Sequence, residues 1–181
     1  MTRALAANAP LAVPFKVVVD SREQLPYTFG GLRADADKQH RPLEIMRVCK
    51  TLPAGDYSIE GFETRIAIER KSLQDLFSTL GQRRAQFEAE HARLASFEFA
   101  AVVIEASWHR ILFHPPPDSL LLPKAVLRTS MSWAQRYGVH WLTYENRRAA
   151  EIMTFRLLET FWKNVKKGRS RYGYHAATST G

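Results

Sequence analysis

Apolar positions fall in short blocks along this chain, and their spacing alternates between strand and helix periods. Phe15 to Val19 is a largely apolar, β-branched run ending on Asp20. It predicts a buried strand that delivers an acid at its carboxyl end. Residues 21–42 are mostly polar and carry Pro26, Gly30, Gly31 and Pro42. They predict a long loop bearing Arg33, Lys38, His40 and Arg41, of a length that is often functional or mobile. Residues 43–52 mix apolar and basic side chains and suit a further strand. After a turn at Pro53–Gly55, Tyr57–Glu60 and Thr64–Glu69 read as two strands joined by a tight turn at Gly61. Ile66 and Ile68 alternate with Arg65, Ala67 and Glu69, so Glu69 faces away from the isoleucines.

Beyond this point the period changes. Ser72 is suited to cap a helix in which Leu73, Leu76, Phe77 and Leu80 share one face, with Gly81 as its expected break. A second helix follows through Phe87, His91 and Leu94. Phe97–Glu105 contains Ala-Ala-Val-Val-Ile and predicts a central buried strand closed by Glu105. His114–Asp118, with three prolines, predicts a rigid loop. Pro123 fits the first turn of a helix lined by Val126, Leu127, Met131, Ala134 and Tyr137, and Gly138 fits its cap. Val139–Tyr144 is the last strand. Ala149, Ile152, Met153, Leu157 and Phe161 line a final helix. The order predicts an α/β domain, a mixed β-sheet flanked by helices. Residues 1–14 read as a flexible leader, 15–165 as one domain, and 166–181 as a basic flexible tail carrying Lys166, Lys167, Arg169 and Arg171.

Composition narrows the partner. The chain of 181 residues has 26 Lys and Arg against 18 Asp and Glu, a formal charge of +8, which favours a polyanion such as nucleic acid. Cys49 is the single cysteine and is expected to be a small buried hydrophobe, which excludes an internal disulfide or a cysteine zinc site. His109, His114 and His140 lack ligand spacing. Trp108, Trp133, Trp141 and Trp162 are expected to pack in the interior. No apolar run approaches the ~20 residues of a membrane span. A cytoplasmic protein is expected, nucleoid-associated in a bacterium, with no membrane association and no small-molecule cofactor.

The chemistry concentrates in two stretches. Asp20, Arg22 and Glu23 follow the first strand, and Asp56, Glu69 and Lys71 surround the hairpin. Magnesium takes hard oxygen ligands and needs only one or two carboxylates beside its waters and substrate phosphate oxygens. A lysine beside it orients water or offsets developing negative charge. An acid on one strand and acid-x-lysine on the next suit metal-dependent phosphodiester cleavage. A surface salt-bridge ladder is the bland alternative for the same spacing.

Val19-Asp20-Ser21-Arg22-Glu23, then Gly55-Asp56, then Glu69-Arg70-Lys71 with Asp75 four residues on, resembles the XPF-type structure-specific endonuclease domain. The likeness covers roughly residues 15–106. It implies a restriction-endonuclease-like fold and DNA cleavage dependent on Mg2+ or Mn2+, expected on branched or nicked DNA in repair or recombination. It implies Asp20, Glu23, Asp56 and Glu69 around the metal, with Asp20, Asp56, Glu69, Arg70 and Lys71 as the catalytic set. Arg70 and Lys71 would meet phosphate or water, and Asp75 would orient Arg70. Arg22, Arg83, Arg84 and the basic tail are assigned to DNA, and a homodimer through the helices around Met131–Tyr137 and Ile152–Phe161 is expected. The paired Gly-x-Gly hairpins that many relatives append are not found, so junction specificity does not carry over. The alternative is a catalytically inactive DNA-binding or scaffold module on the same fold.

Overall fold

The computed structural model describes residues 9–169. Eight strands are β1 Leu11–Ala12, β2 Val17–Asp20, β3 Leu43–Glu44, β4 Arg47–Lys50, β5 Tyr57–Ile59, β6 Ile66–Lys71, β7 Phe99–Ile104 and β8 His140–Thr143. Five helices are α1 Leu73–Gln82, α2 Arg84–Leu94, α3 Trp108–Phe113, α4 Pro123–Tyr137 and α5 Arg147–Lys166. Six strands form one mixed sheet in the order β4-β2-β5-β6-β7-β8. Only β2–β5 and β5–β6 pair antiparallel, so β5 runs against a sheet otherwise parallel. Helices lie on both faces, as expected.

The two faces follow from strand alternation. Val17, Val19, Tyr57, Ile59, Ile66, Ile68, Ala101 and Val103 point to one side and pack against Phe155, Leu158 and Phe161 of α5. Ala67, Ala100, Val102 and Ile104 point to the other and meet α1, α2, α3 and α4 through Leu76, Phe87, Ile111 and Trp133. Trp133 is buried, and Trp108, Trp141 and Trp162 are partly buried against these two clusters. The apolar stripes expected to form a dimer face largely serve the chain's own sheet, leaving Met131 and Met153 as the exposed large hydrophobics of α4 and α5.

Several expectations change. The 21–42 stretch is tied down rather than mobile, because Tyr27, Phe29 and Leu32 are core residues. Tyr27 stacks on Tyr57 at 5.1 Å. Phe29 holds a left-handed φ of 56°, disfavoured for a bulky side chain. Its burial and a 2.6 Å bond from its N–H to Glu151 Oε1 offset that strain. Gly81 does not break its helix: α1 runs to Gln82, and Leu121 lies against the space a Cβ would enter. Cys49 is exposed, since β4 is an edge strand. Residues 43–52 divide into β3 and β4, and the short helix α3, capped by Ser107, had no counterpart in the expected elements. Of the expected leader, residues 1–8 lie outside the described residues, while Leu11–Ala12 pairs with Leu43–Glu44. Of the expected tail, Lys166 closes α5 and Lys167–Arg169 turn back on it, with the Arg169 N–H on Asn164 O at 2.9 Å. Arg171 and the rest of that segment lie outside the described residues. Among the described residues no helix is long and apolar enough to cross a membrane.

Replacing Phe29 with alanine should therefore lower stability by about 3–5 kcal/mol, the range for a buried aromatic. Urea unfolding measures this, and a loss below about 0.5 kcal/mol, typical of a surface change, would show the segment to be peripheral.

Candidate active site

The acids gather where β2, β5 and β6 meet, and backbone geometry sets their positions. Gly55 turns the chain at a φ of 74°, and a Cβ there would stand 3.1 Å from Ile68 O. Glycine thus allows the turn to lie against β6, where the Asp56 N–H bonds Ile68 O at 2.8 Å. The Asp56 carboxylate in turn accepts the Arg70 N–H at 2.6 Å. Glu69 and Lys71 follow at period two on the side of α1 and α2, where the Lys71 ammonium lies 2.6 Å from Glu69 Oε1 and 4.9 Å from the Phe87 ring centroid.

Electrostatics couple this group. Removal from water, then the nearby Glu69 charge, pushes the Asp56 carboxyl well above its usual value. Glu69, buried at 4% exposure, is also pushed up by burial, and the pull of Lys71 does not cancel that. Burial acts against the Lys71 charge, but Glu69 outweighs it and holds the ammonium above its ordinary value. Two carboxylates thus share one ammonium in a poorly hydrated place, an arrangement that attracts further positive charge.

Asp20 serves differently. Its carboxylate accepts from the Arg22 N–H at 2.8 Å, from the Arg22 guanidinium at 2.7 and 3.0 Å, and from the Leu52 N–H at 2.6 Å. Burial opposes its charge, yet bonds from Arg22 and Leu52 win and hold the carboxyl below its usual value. In this arrangement Asp20 ties the loop after β2 to the loop after β4.

Arg70 divides between the two faces. Its N–H fixes Asp56, while its guanidinium lies on the Tyr27 side, 2.8 Å from Glu105 and 3.4 Å from Glu23. Glu105 also receives Arg147 at 2.8 Å, which continues the ladder to the start of α5. Glu23 stands between the faces, since its charge also bears on Asp56 and Glu69. Asp75, expected to orient Arg70, instead accepts from Ser72 at 2.6 Å and closes the cap of α1.

The structure brings Glu23, Asp56, Glu69 and Lys71 together, with Asp20 and Arg22 alongside. Arg83 shares a pocket of about 100 Å³ with Lys71, Phe87 and Glu90. Arg84 leans on Trp133, 5.0 Å from its ring centroid, and bonds Thr129 at 2.8 Å. Lys166, Lys167 and Arg169 are not brought to the site. They follow the far end of α5, about 30 Å along the helix from Arg147.

Sequence reading passed over Glu90 and Arg147 and left Glu105, at a neighbouring strand end, out of the core site. Glu90 reaches back from α2 to the Gly55 N–H at 3.4 Å, and its charge bears on Glu69 and Lys71. Nothing local in the sequence singles it out. Glu105 did carry a signal, an acid closing a buried parallel strand beside the motif strand. Among the described residues, no three His, Cys, Asp or Glu side chains converge in an arrangement that would hold a metal ion.

A family model described as the ERCC4 domain matches residues 19–155. Two solved structures are similar, "XPF from Aeropyrum pernix" and "XPF from Aeropyrum pernix, complex with DNA". Each is 18% identical with a TM-score of 0.59. The first match covers 85% of this chain and 68% of the other, the second 83% and 66%. No curated protein sequence matches the chain. At that identity the structural likeness shows the fold, a restriction-endonuclease-like α/β sheet, and the matched family model covers most of the chain.

The raised carboxyls make a pH prediction. Asp56 holds its proton more tightly folded than unfolded, so its contribution to stability is complete below the unfolded value, about 4. That contribution is lost as pH rises through the folded value. Asp56→Asn should therefore raise the melting temperature at pH 7 in chelator and flatten the decline in stability above pH 4. Calorimetry across that range checks it. A lower melting temperature for the variant at pH 7 would contradict the burial argument.

Proposed function

The chain belongs to the ERCC4 domain family, and from that premise we propose that it is a metal-dependent DNA endonuclease. The carrying observation is Asp56 just before β5 and Glu69 on β6, both largely removed from water, with the Lys71 ammonium paired to Glu69 and its charge also bearing on Asp56. DNA as substrate is supported by the net charge of +8 and by a structural neighbour described in complex with DNA.

The donor set fits a hard divalent cation at its minimum requirement. Asp56 and Glu69 would hold Mg2+ or Mn2+ with phosphate oxygens and water completing the shell. When bound, such an ion supplies charge neutralisation at the phosphate and a more acidic water. The chain's own residues do the positioning. The Arg70 N–H keeps one Asp56 oxygen directed along the strand, and the Gly55 turn keeps the carboxylate at the strand end. Lys71 is the donor available to a phosphate oxygen once Glu69 is engaged elsewhere, and its raised pKa keeps it charged at neutral pH. Glu23 adds negative charge from the loop after β2.

Three observations favour a second reading, a DNA-binding or scaffold module that does not cut. No three-ligand cluster converges among the described residues, Lys71 occupies Glu69, and all the Asp20 contacts are internal. A panel of labelled linear, nicked and branched DNAs with Mg2+, Mn2+, Ca2+ or EDTA separates the two. Cleavage with Mg2+ or Mn2+ but not Ca2+ or EDTA is expected. Binding without cleavage under every metal would establish the second reading.

On the first reading, Asp56→Asn and Glu69→Gln should each slow cleavage about a hundredfold or more, measured in single turnover beside circular dichroism of the fold. Lys71→Ala should lower the single-turnover rate more than the DNA affinity. Wild-type rates for all three would place the chemistry elsewhere.

A further inference from the structure

Past the carboxyl end of β7 a cleft of about 480 Å³ opens between the starts of α1 and α5 and the loop that follows α3. Ser72 and Gln74 form one wall, His114 and the prolines 115–117 another, and Glu105 and Arg147 line it beside Arg110. We propose that this cleft holds a backbone phosphodiester of the DNA strand, away from the one that is cut, and that Arg110 is its principal cation. The proposal rests on the reading of the domain as DNA-acting.

Arg110 is exposed, and its guanidinium has no hydrogen-bond or ion-pair partner among the described residues. The neighbouring arginines are engaged. Arg70 holds Glu105 and Glu23, while Arg147 holds Glu105 and the Leu25 carbonyl at 2.7 Å. Three guanidiniums therefore stand against two carboxylates, and the uncompensated charge is that of Arg110. A single positive charge beside polar Ser72 and Gln74 suits a phosphodiester monoanion. At each helix start the cap takes one N–H, Ser72 that of Asp75 and Asn146 that of Ala149.

The walls hold their shape without a ligand. Three consecutive prolines restrict the loop backbone, Pro116 is buried, and the Ser119 N–H bonds its carbonyl at 3.1 Å. The cleft is linked to the acidic site through β6. Glu105 lines the cleft and holds Arg70, whose N–H fixes Asp56.

Binding to duplex DNA by fluorescence anisotropy, as a function of salt, tests this in the full chain. A Glu69→Gln background in EDTA removes cleavage, and oligonucleotides with hydroxyl ends leave only internal diesters. Arg110→Ala should lower the slope of log affinity against log salt by about 0.9, one phosphate contact. Arg110→Lys should restore it, and Arg93→Ala, on exposed α2 surface, should leave it unchanged. Unchanged slope in Arg110→Ala overturns the assignment of the cleft while leaving the DNA reading intact. No binding by the parent overturns both. In a parallel set with 5′-phosphorylated ends, an Arg110→Ala effect seen only there overturns the backbone assignment in favour of a terminal phosphate.

Discussion

The most constraining interaction is the sharing of one ammonium by two carboxylates at the end of the sheet. Asp56 and Glu69 would repel each other less in water, but here burial raises the energy of both charges. Lys71 relieves part of that and is itself held charged by it. Such a group is stable only on a scaffold that fixes its spacing. The antiparallel register of β5 on β6, with Tyr57 opposite Ile68, and the bond from the Arg70 N–H to Asp56 supply it. The apolar content of β6 follows from the same demand. Ile66, Ala67 and Ile68 are fully covered, so the strand cannot slip without moving its whole apolar set to the wrong face.

Much of this was legible in the sequence because it is local. Period-two alternation assigned Glu69 to the face away from Ile66 and Ile68, and the structure places it there, among residues from α1 and α2. The Gly55-Asp56 turn, the Ser72 cap and the Gly138 cap are short-range chemistry and formed as expected, Gly138 at a φ of 67°. The fold class followed from the order of the strands and helices. The sequence motif could name the acids without showing what each one touches. Asp20 and Glu69 look equivalent in the sequence, yet one is saturated by internal donors and the other borders a pocket lysine.

What could not be read depends on long-range packing. Tyr27 and Phe29 sit in a polar, glycine- and proline-containing stretch, so no period marks them as core. Their burial is decided by α5, whose Glu151 lies more than a hundred residues away and accepts the Phe29 N–H. Arg156 adds a bond to Asp35 at 2.8 Å, and Arg148 one to the Gly30 carbonyl at 2.8 Å. The same applies to Glu90 and Arg147. Each enters the neighbourhood of the site through a helix start or face that the sheet order alone selects. Cys49 fails in the opposite direction. Its residue type suggested a small buried hydrophobe, but β4 lies at the edge of the sheet and leaves it exposed.

Arg70 joins the two sides of the domain, and its backbone and side chain do separate things. Its N–H belongs to β6 and fixes Asp56 whatever side chain follows. Its guanidinium crosses to the opposite face and closes a ladder with Glu105, Glu23 and, through Glu105, Arg147. Truncating the side chain would leave the acid pair placed but leave Glu105 and Glu23 without their shared cation in a largely buried setting, a change more damaging than the loss of a surface pair. The acid pair and the arginine ladder are therefore linked by a strand rather than by direct contact. A ligand phosphate that bore on the ladder would reach Asp56 only by displacing β6, and the full covering of that strand opposes such movement. The arrangement accordingly favours a rigid alignment of the acid pair with the arginine ladder over a conformational signal between them.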